Sequence, residues 1–137
     1  MKNKTIVIYT DGGARGNPGP AAYGIVIYDQ GGKIIKRIGK FLGDRTNNEA
    51  EYEGVIAALE EAAKLAGHYV DLRLDSELVV RQLNNIYRAK NQRMQGFILR
   101  VRNLETKLKK VTYTHVPREK NQFADKLVNE TIDKADK

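Results

Sequence analysis

Four acidic side chains stand where folding could bring carboxylates together, and two of them follow predicted strands. Asp11 comes directly after residues 5–10, a short apolar and β-branched run that indicates a buried strand. Asp75 ends residues 70–75, where apolar and polar side chains alternate as in a half-buried strand. If these strands are parallel neighbours, both carboxylates emerge at one sheet edge, where open α/β sheets bind ligands. Taken alone, Asp75 is better explained as the N-cap of the following helix.

The other two acids, Glu51 and Asp125, belong to predicted helices and lie at the margins of apolar faces. In the helix predicted over residues 49–65, Glu51 shares its side with three small or apolar residues, Val55, Ala58 and Ala62. From this helical phase alone, a partly buried salt bridge and a catalytic role fit Glu51 equally well. Asp125 lies in the first turn of a helix predicted over residues 122–134, where the helix dipole by itself explains an acid.

Carboxylates that converge need a neutralising partner. Two like charges about 5 Å apart repel by roughly 3 kcal/mol at an effective dielectric constant near 20. Divalent cations remove this repulsion. The chain has no cysteine and only two histidines, His68 and His115, that could offer a nitrogen ligand. Any metal is therefore held mainly by oxygen, which favours Mg²⁺, Mn²⁺ or Ca²⁺.

The elements that would position these acids form a mixed α/β pattern. Strands are predicted over residues 5–10, 23–28, 33–41, 70–75 and 111–115, and helices over residues 49–65, 76–84, 96–109 and 122–134. This order describes an antiparallel meander followed by strands that return through helices. The glycine- and proline-rich residues 12–20 are predicted to lie outside any strand. Thr46 and Glu49 fit a capping box at the start of the first helix, and Gly67 is expected to close it.

Length and composition narrow the class of protein. The chain has 137 residues, 41% hydrophobic and 30% charged, which are values of one globular domain. Its net charge of +7 is explained equally well by an anionic partner, nucleic acid first, or by solubility alone. No apolar run approaches the roughly 20 residues of a membrane span, and the first residues lack a signal-peptide core. We therefore expect a cytoplasmic protein without a membrane partner.

Four segments of the sequence together resemble one family. They are TDGGARGNPGPAAYG at residues 10–24, TNNEAEY at 46–52, LDSELVVRQL at 74–83 and HVPREKNQFAD at 115–125. In this order and spacing they resemble the motifs of ribonuclease HI, the type 1 ribonuclease H family, and the resemblance covers essentially the whole chain. It implies a ribonuclease H-like α/β fold, with a five-stranded mixed sheet in the order 3-2-1-4-5 flanked by helices, and a single catalytic domain over residues 1–137.

The resemblance also implies an activity and its residues. The family cleaves the RNA strand of RNA–DNA hybrids by two-metal-ion catalysis and leaves 5′-phosphate and 3′-hydroxyl ends. The implied ligands of two Mg²⁺ ions, for which Mn²⁺ could substitute, are the catalytic acids Asp11, Glu51, Asp75 and Asp125. His115 matches the family's mobile-loop histidine, proposed to help protons move or product leave. The implied substrate-binding residues are Gly12, Asn17, Thr46, Asn47 and Asn48.

Three departures from the family pattern concern the grip on substrate. Glu77 stands where many members have glutamine, and Asn129 stands where some have an arginine in a DNA-phosphate pocket. Residues 85–95 are too short for the basic protrusion of some bacterial members, and no hybrid-binding domain is expected. Two other functions stay open: a transposase-, integrase- or resolvase-like catalytic core, which needs specific DNA ends, and a nucleic-acid-binding module without catalysis. We expect a monomer without an obligate protein partner.

Overall fold

The structure is a computed structural model that describes residues 5–65 and 69–135. Within these residues lie five strands: β1 (Thr5–Ala14), β2 (Gly19–Tyr28), β3 (Ile34–Arg45), β4 (Tyr69–Leu74) and β5 (Lys110–His115). Four α-helices join or follow them: α1 (Asn47–Lys64), α2 (Glu77–Leu83), α3 (Gln92–Glu105) and α4 (Gln122–Ala135). A short 3₁₀ turn, Arg118–Lys120, precedes α4. The helix closure predicted at Gly67, like His68, lies outside the described residues.

The strands form one mixed sheet in the order β3-β2-β1-β4-β5. The pairs β1–β2 and β2–β3 are antiparallel, as expected of a meander of consecutive strands. The pairs β1–β4 and β4–β5 are parallel, so each needs a helical crossover. The predicted fold class and strand order are both confirmed.

Helices cover the two faces of the sheet unequally. Helix α1 lies on one face, and its apolar side chains join those of the strands in the main core, which includes Ile8, Ile25, Tyr52, Leu59 and Leu72. Helix α4 packs on the other face, where a smaller cluster joins β2 to α4 through Ala22, Val128 and Ile132. Within residues 5–65 and 69–135, no helix combines the length and the apolar character that crossing a bilayer requires.

Strand β1 is longer than predicted, and this changes the position of Asp11. The prediction that residues 12–20 lie outside any strand is wrong for its two ends, because β2 continues to pair with β1 as far as Ala14 opposite Ala21. The parallel pairing of β1 with β4, in contrast, ends at Tyr9 opposite Arg73. Asp11 therefore lies within β1, on the part that extends past β4, and not at the strand's end.

Helix starts follow side-chain caps. The capping box is confirmed, because the Thr46 hydroxyl accepts from the Glu49 amide and the Glu49 carboxylate accepts from the Thr46 amide. Ser76, not Asp75, caps α2, so the Asp75 carboxylate is not used as a cap. Helix α3 begins at Gln92 instead of residue 96, because the Asn91 side chain accepts from the Met94 amide and starts the helix earlier than predicted.

Candidate active site

Three carboxylates from three different elements meet at the carboxyl end of β4. Asp11 extends past the last β1–β4 pair, Asp75 follows β4 directly, and Glu51 comes from the second turn of α1. One oxygen of each lies within 4.8 Å of the others. Asp11 and Glu51 are buried, at 8% and 5% relative exposure, whereas Asp75 is partly exposed. The predicted convergence of these three acids is thus present in the fold.

Glycine at position 12 allows α1 to approach β1 closely enough for this meeting. A Cβ atom on Gly12 would lie 2.3 Å from the Ala50 carbonyl carbon, far closer than atoms pack. Without that side chain, the Gly12 amide donates a hydrogen bond of 2.5 Å to Oε1 of Glu51. The absence of a side chain at Gly12 therefore helps to position Glu51, a role that differs from the turn role that a glycine-rich segment suggests.

Asn121, which the sequence analysis did not single out, ties β1 to the residue that follows β4. Its side chain is 1% exposed. Its Nδ2 donates to the Thr10 carbonyl at 3.0 Å and to Oδ2 of Asp75 at 3.3 Å. This buried side-chain amide joins Thr10, within β1, to Asp75 and holds Asp75 at a set distance from Asp11, because both bonds start from one rigid group.

Asp125 reaches the same site from the first turn of α4. Its amide donates to the Asn121 carbonyl at 3.1 Å, which places the helix start directly beside the Asn121 bridge. Asp125 lines the same cleft as the other acids, and its charge raises the pKa of Asp11, although it is not one of the three acids whose oxygens lie within 4.8 Å of one another. Asp125 therefore forms the outer part of the acidic cluster.

Burial and mutual repulsion change the protonation of the cluster. The pKa of Asp11 is raised from 3.8 to about 7: burial raises it most, the neighbouring Glu51 carboxyl lowers it, and the charges of Asp75 and Asp125 raise it. The pKa of Glu51 is raised well above its usual value by burial and then by the Asp11 charge. Glu51 is the more deeply buried of the pair, and burial disfavours its charged form.

The donor set fits a hard divalent cation. All three converging ligands are carboxylate oxygens, the type that Mg²⁺, Mn²⁺ and Ca²⁺ bind. Oε2 of Glu51 is buried and has no hydrogen-bond partner among the described residues. A buried carboxylate oxygen without a donor is costly, and a cation at this position would satisfy it. Asp11, Glu51 and Asp75 could therefore hold a metal ion.

A cleft of 410 Å³ opens above the acids. Three of the predicted substrate-binding residues line it, Gly12, Asn47 and Asn48. The Asn47 side chain also accepts from the Ala14 amide at 2.8 Å, while its own amide donates to the Asn17 side chain at 3.0 Å. Asn17 therefore supports Asn47 from the exposed turn after β1, outside the cleft wall. Thr46 caps α1 and does not line the cleft either.

His115 lies at the exposed end of β5, opposite Leu74 in the sheet. It is absent from the described residues that line the cleft. The neighbouring turn instead supplies Arg118, a cation in the cleft wall that the sequence analysis did not single out. The sequence could have indicated Arg118, because it lies between His115 and Asp125 in the fourth motif and a cation in that motif is close to the acids.

The structure shows the contacts made at the three positions that depart from the family pattern. Glu77 is exposed and pairs with Arg81 across one helical turn at 3.2 Å. Asn129 lines the cleft, where its Nδ2 donates to the Asp125 carbonyl at 3.1 Å. In the shortened segment 85–95, Arg93 forms an ion pair with Glu49 at the start of α1.

Relatives of known class match the chain over nearly all of its length. The sequence model of the reverse transcriptase-like family matches residues 9–131, a range that contains all four acids. Ribonuclease HI of Halobacterium salinarum is 43% identical over 127 residues, which cover 93% of this chain and 64% of that protein. The chain belongs to the ribonuclease H family.

Two more ribonuclease H relatives define how far this likeness extends. The bifunctional protein Rv2228c of Mycobacterium tuberculosis is 37% identical over 131 residues, which cover 95% of this chain but only 36% of that protein. The structure of LC11-RNase H1 in complex with an RNA/DNA hybrid has a TM-score of 0.90 and 44% identity, and the match covers 96% of this chain and 99% of that one. The solved N-terminal RNase H domain of Rv2228c matches this chain with a TM-score of 0.93 and 36% identity, covering 97% of this chain and 96% of that one, so this chain is similar to that domain of a longer protein.

Proposed function

We propose that the protein is an endonuclease that hydrolyses the RNA strand of RNA–DNA hybrids with two divalent metal ions and leaves 5′-phosphate and 3′-hydroxyl ends. The observation that carries this proposal is the meeting of Asp11, Glu51 and Asp75 within 4.8 Å, with an unpartnered oxygen on buried Glu51. The hybrid bound by LC11-RNase H1, a protein with 44% identity, supports the substrate class.

Asp11, Glu51, Asp75 and Asp125 would hold the metal ions, with Mg²⁺ as the preferred ion and Mn²⁺ as a substitute. When bound, such ions supply an activated water and stabilise the leaving 3′-oxygen of the scissile phosphodiester. The chain's own contribution is to keep the carboxylates in place. The backbone amide of Gly12 orients Glu51, and the side-chain amide of Asn121 orients Asp75. Neither acid therefore has to be ordered when substrate binds.

The acids must also lose a proton before they can bind cations. Because burial and the Asp11 charge raise the pKa of Glu51, a proton held by this carboxyl has to leave when metal binds. His115, predicted to help protons move or product leave, lies at the end of the next strand along, β5, beside β4. That role and the other residue roles in this section are proposals carried from the family resemblance.

Recognition of the hybrid would be by shape. A hybrid has a wide, shallow minor groove that displays 2′-hydroxyl groups on one strand only. Asn47, Asn48 and the Gly12 backbone face the cleft and could contact those hydroxyls, with Asn17 and Thr46 ordering the same loop. Arg118 in the cleft wall adds a cation for phosphate. A monomeric state and a cytoplasmic location remain predictions from the sequence.

The test is cleavage of an end-labelled hybrid with Mg²⁺ and with EDTA, compared with DNA and RNA duplexes of the same sequence. We expect cuts in the RNA strand of the hybrid only, and loss of cutting in Asp11→Asn. Asp44→Asn, at an exposed position, is the matched control and should cut like the parent. Binding of the hybrid without Mg²⁺-dependent cutting would favour a non-catalytic module, and a requirement for particular DNA ends would favour a transposase-like core.

A further inference from the structure

A second cavity lies on the face of the sheet that carries α4, beside the start of that helix. It measures 330 Å³, and its lining includes Tyr9, Tyr28, Arg73, Lys120, Asn121 and Phe123. We refer to it as the aromatic cavity. None of the four acids of the candidate active site lines it, so the proposed hydrolysis leaves it without a role.

Three aromatic rings surround this cavity. Tyr9 and Tyr28 come from adjacent strands, and their rings meet edge to face with centroids 5.6 Å apart. The Arg73 guanidinium lies over the Tyr9 ring at 5.4 Å from its centroid and donates to the Tyr9 hydroxyl at 2.8 Å. Phe123, on the first turn of α4, is 66% exposed although it is a large apolar side chain. The cavity therefore presents flat, ordered π surfaces with one ring open to solvent.

The charge of the cavity wall is positive. The wall contains two cations, Arg73 and Lys120, and no acidic residue among those described. Arg73 is already paired with Asp71, at 2.9 Å, so Lys120 is the cation that remains for a ligand. Cations beside aromatic side chains are typical of sites that bind an unpaired base and its phosphate.

The aromatic cavity lies on the other side of the 3₁₀ turn from the cleft that holds the acids. Arg118 and Lys120 are two residues apart in the 3₁₀ turn, and Arg118 lines the cleft while Lys120 lines the cavity. Asn121 forms the wall between them, because it lines the cavity and its amide holds Asp75 of the cleft. A nucleic-acid strand in the cleft can therefore pass across this turn and place its next bases in the cavity.

We propose that the aromatic cavity binds an unpaired base of a single-stranded extension that continues from a hybrid held in the catalytic cleft. The base stacks on Phe123 and the tyrosine–arginine surface, and Lys120 contacts the adjoining phosphate. This inference rests on the proposed function for the hybrid. It adds a preference for hybrids that end in single strands over blunt ones.

The test compares binding of a blunt hybrid with binding of hybrids that carry a short pyrimidine extension on one strand end, measured by fluorescence anisotropy in EDTA. For the wild type, we expect one extension to tighten binding by about tenfold, the effect of one stacked base. Phe123→Ala should bring the ratio of the two dissociation constants close to one, and Phe123→Trp should keep it. Leu99→Ala, at a 63% exposed position on α3 outside the cavity, is the matched control and should also keep it.

Failure of this inference is distinguishable from failure of the proposed function. If the wild type cuts a blunt hybrid but no extension tightens binding, only this inference is wrong and the proposed function stands. The same holds if Phe123→Ala keeps the wild-type ratio of the two dissociation constants. If no hybrid is cut or bound, the proposed function is wrong, and direct binding of oligothymidine then tests the cavity: equal binding by wild type and Phe123→Ala overturns it. Sedimentation showing a dimer that Phe123→Ala dissociates, with no effect of extensions, would assign the cavity to a second copy instead.

Discussion

Replacing Asp11 by asparagine should make the metal-free protein more stable at neutral pH while it removes activity. Burial and the neighbouring acids raise the pKa of Asp11 from 3.8 to about 7 in the folded protein. The folded state therefore binds this proton more tightly than the unfolded state does. Consequently the free energy of unfolding falls as pH rises from about 4 to about 7 and is level above that.

The size of the effect follows from the same pKa values. Each pKa unit corresponds to about 1.4 kcal/mol, so a rise from 3.8 to about 7 costs the folded protein up to about 4 kcal/mol at pH values above 7. Asparagine keeps a buried polar group, and Glu51 shares the titration, so we expect a net gain of roughly 2–4 kcal/mol. For a chain of this length, that gain raises Tm by roughly 10 °C.

The assay is urea or thermal unfolding followed by circular dichroism, in EDTA, from pH 4 to pH 8. The gain of Asp11→Asn over the wild type should be near zero at pH 4 and full at pH 8. Added Mg²⁺ should narrow it, because only the wild type keeps the complete ligand set. Asp44→Asn, at an exposed site, should show no such pH dependence. An Asp11→Asn protein that is less stable than the parent at pH 8, or a gain independent of pH, would refute the reasoning.

Further predictions concern the groups around the acids and the substrate. Gly12→Ala should lower the free energy of unfolding, measured in urea, by about 1–3 kcal/mol and abolish cleavage. The reason is that its Cβ would lie 2.3 Å from the carbonyl carbon of Ala50 in α1. Gly13→Ala, whose Cβ would meet only a side-chain carbon of Val128 at 3.6 Å, should change neither stability nor cleavage. Asn121→Ala should cost about 1–3 kcal/mol of stability and weaken Mg²⁺ binding measured by calorimetry, since it frees Asp75; unchanged Mg²⁺ affinity would contradict the bridging role. Hybrid affinity should fall linearly with salt on logarithmic axes, by anisotropy titration; an affinity independent of salt would exclude phosphate contacts.

Most of the fold was predictable because its strands and helices have clear periodicity. The alternation before Asp75 placed this acid at a strand end, and helical phase placed Glu51 at the margin of a buried face, but neither pattern alone distinguished a structural role from a catalytic one. Thr46 and Glu49 gave the helix start through a local pattern of four residues, which depends on nothing distant. Such a pattern can be predicted from the sequence because its hydrogen bonds join residues within one helical turn.

The features that were missed depend on contacts between distant segments. Strand β1 continues beyond Asp11 because its residues there pair with β2. The composition of one segment does not show which other segment it pairs with. Gly12 is read as a turn residue until α1 is placed against it. Asn121 looks like a loop residue in the sequence, and its role follows only from its bonds to Thr10 and Asp75, which lie 111 and 46 positions away.

The most direct test of the account is calorimetric titration of Mn²⁺ into the wild type, Glu51→Gln and Glu60→Gln in buffers of different ionisation enthalpy. Glu60 lies on the exposed face of the same helix and is the matched control. The account predicts that the wild type and Glu60→Gln bind Mn²⁺ with release of protons, and that Glu51→Gln binds at least tenfold more weakly and releases fewer protons. Equal affinity and equal proton release in all three proteins would contradict a metal site built on the buried carboxylates.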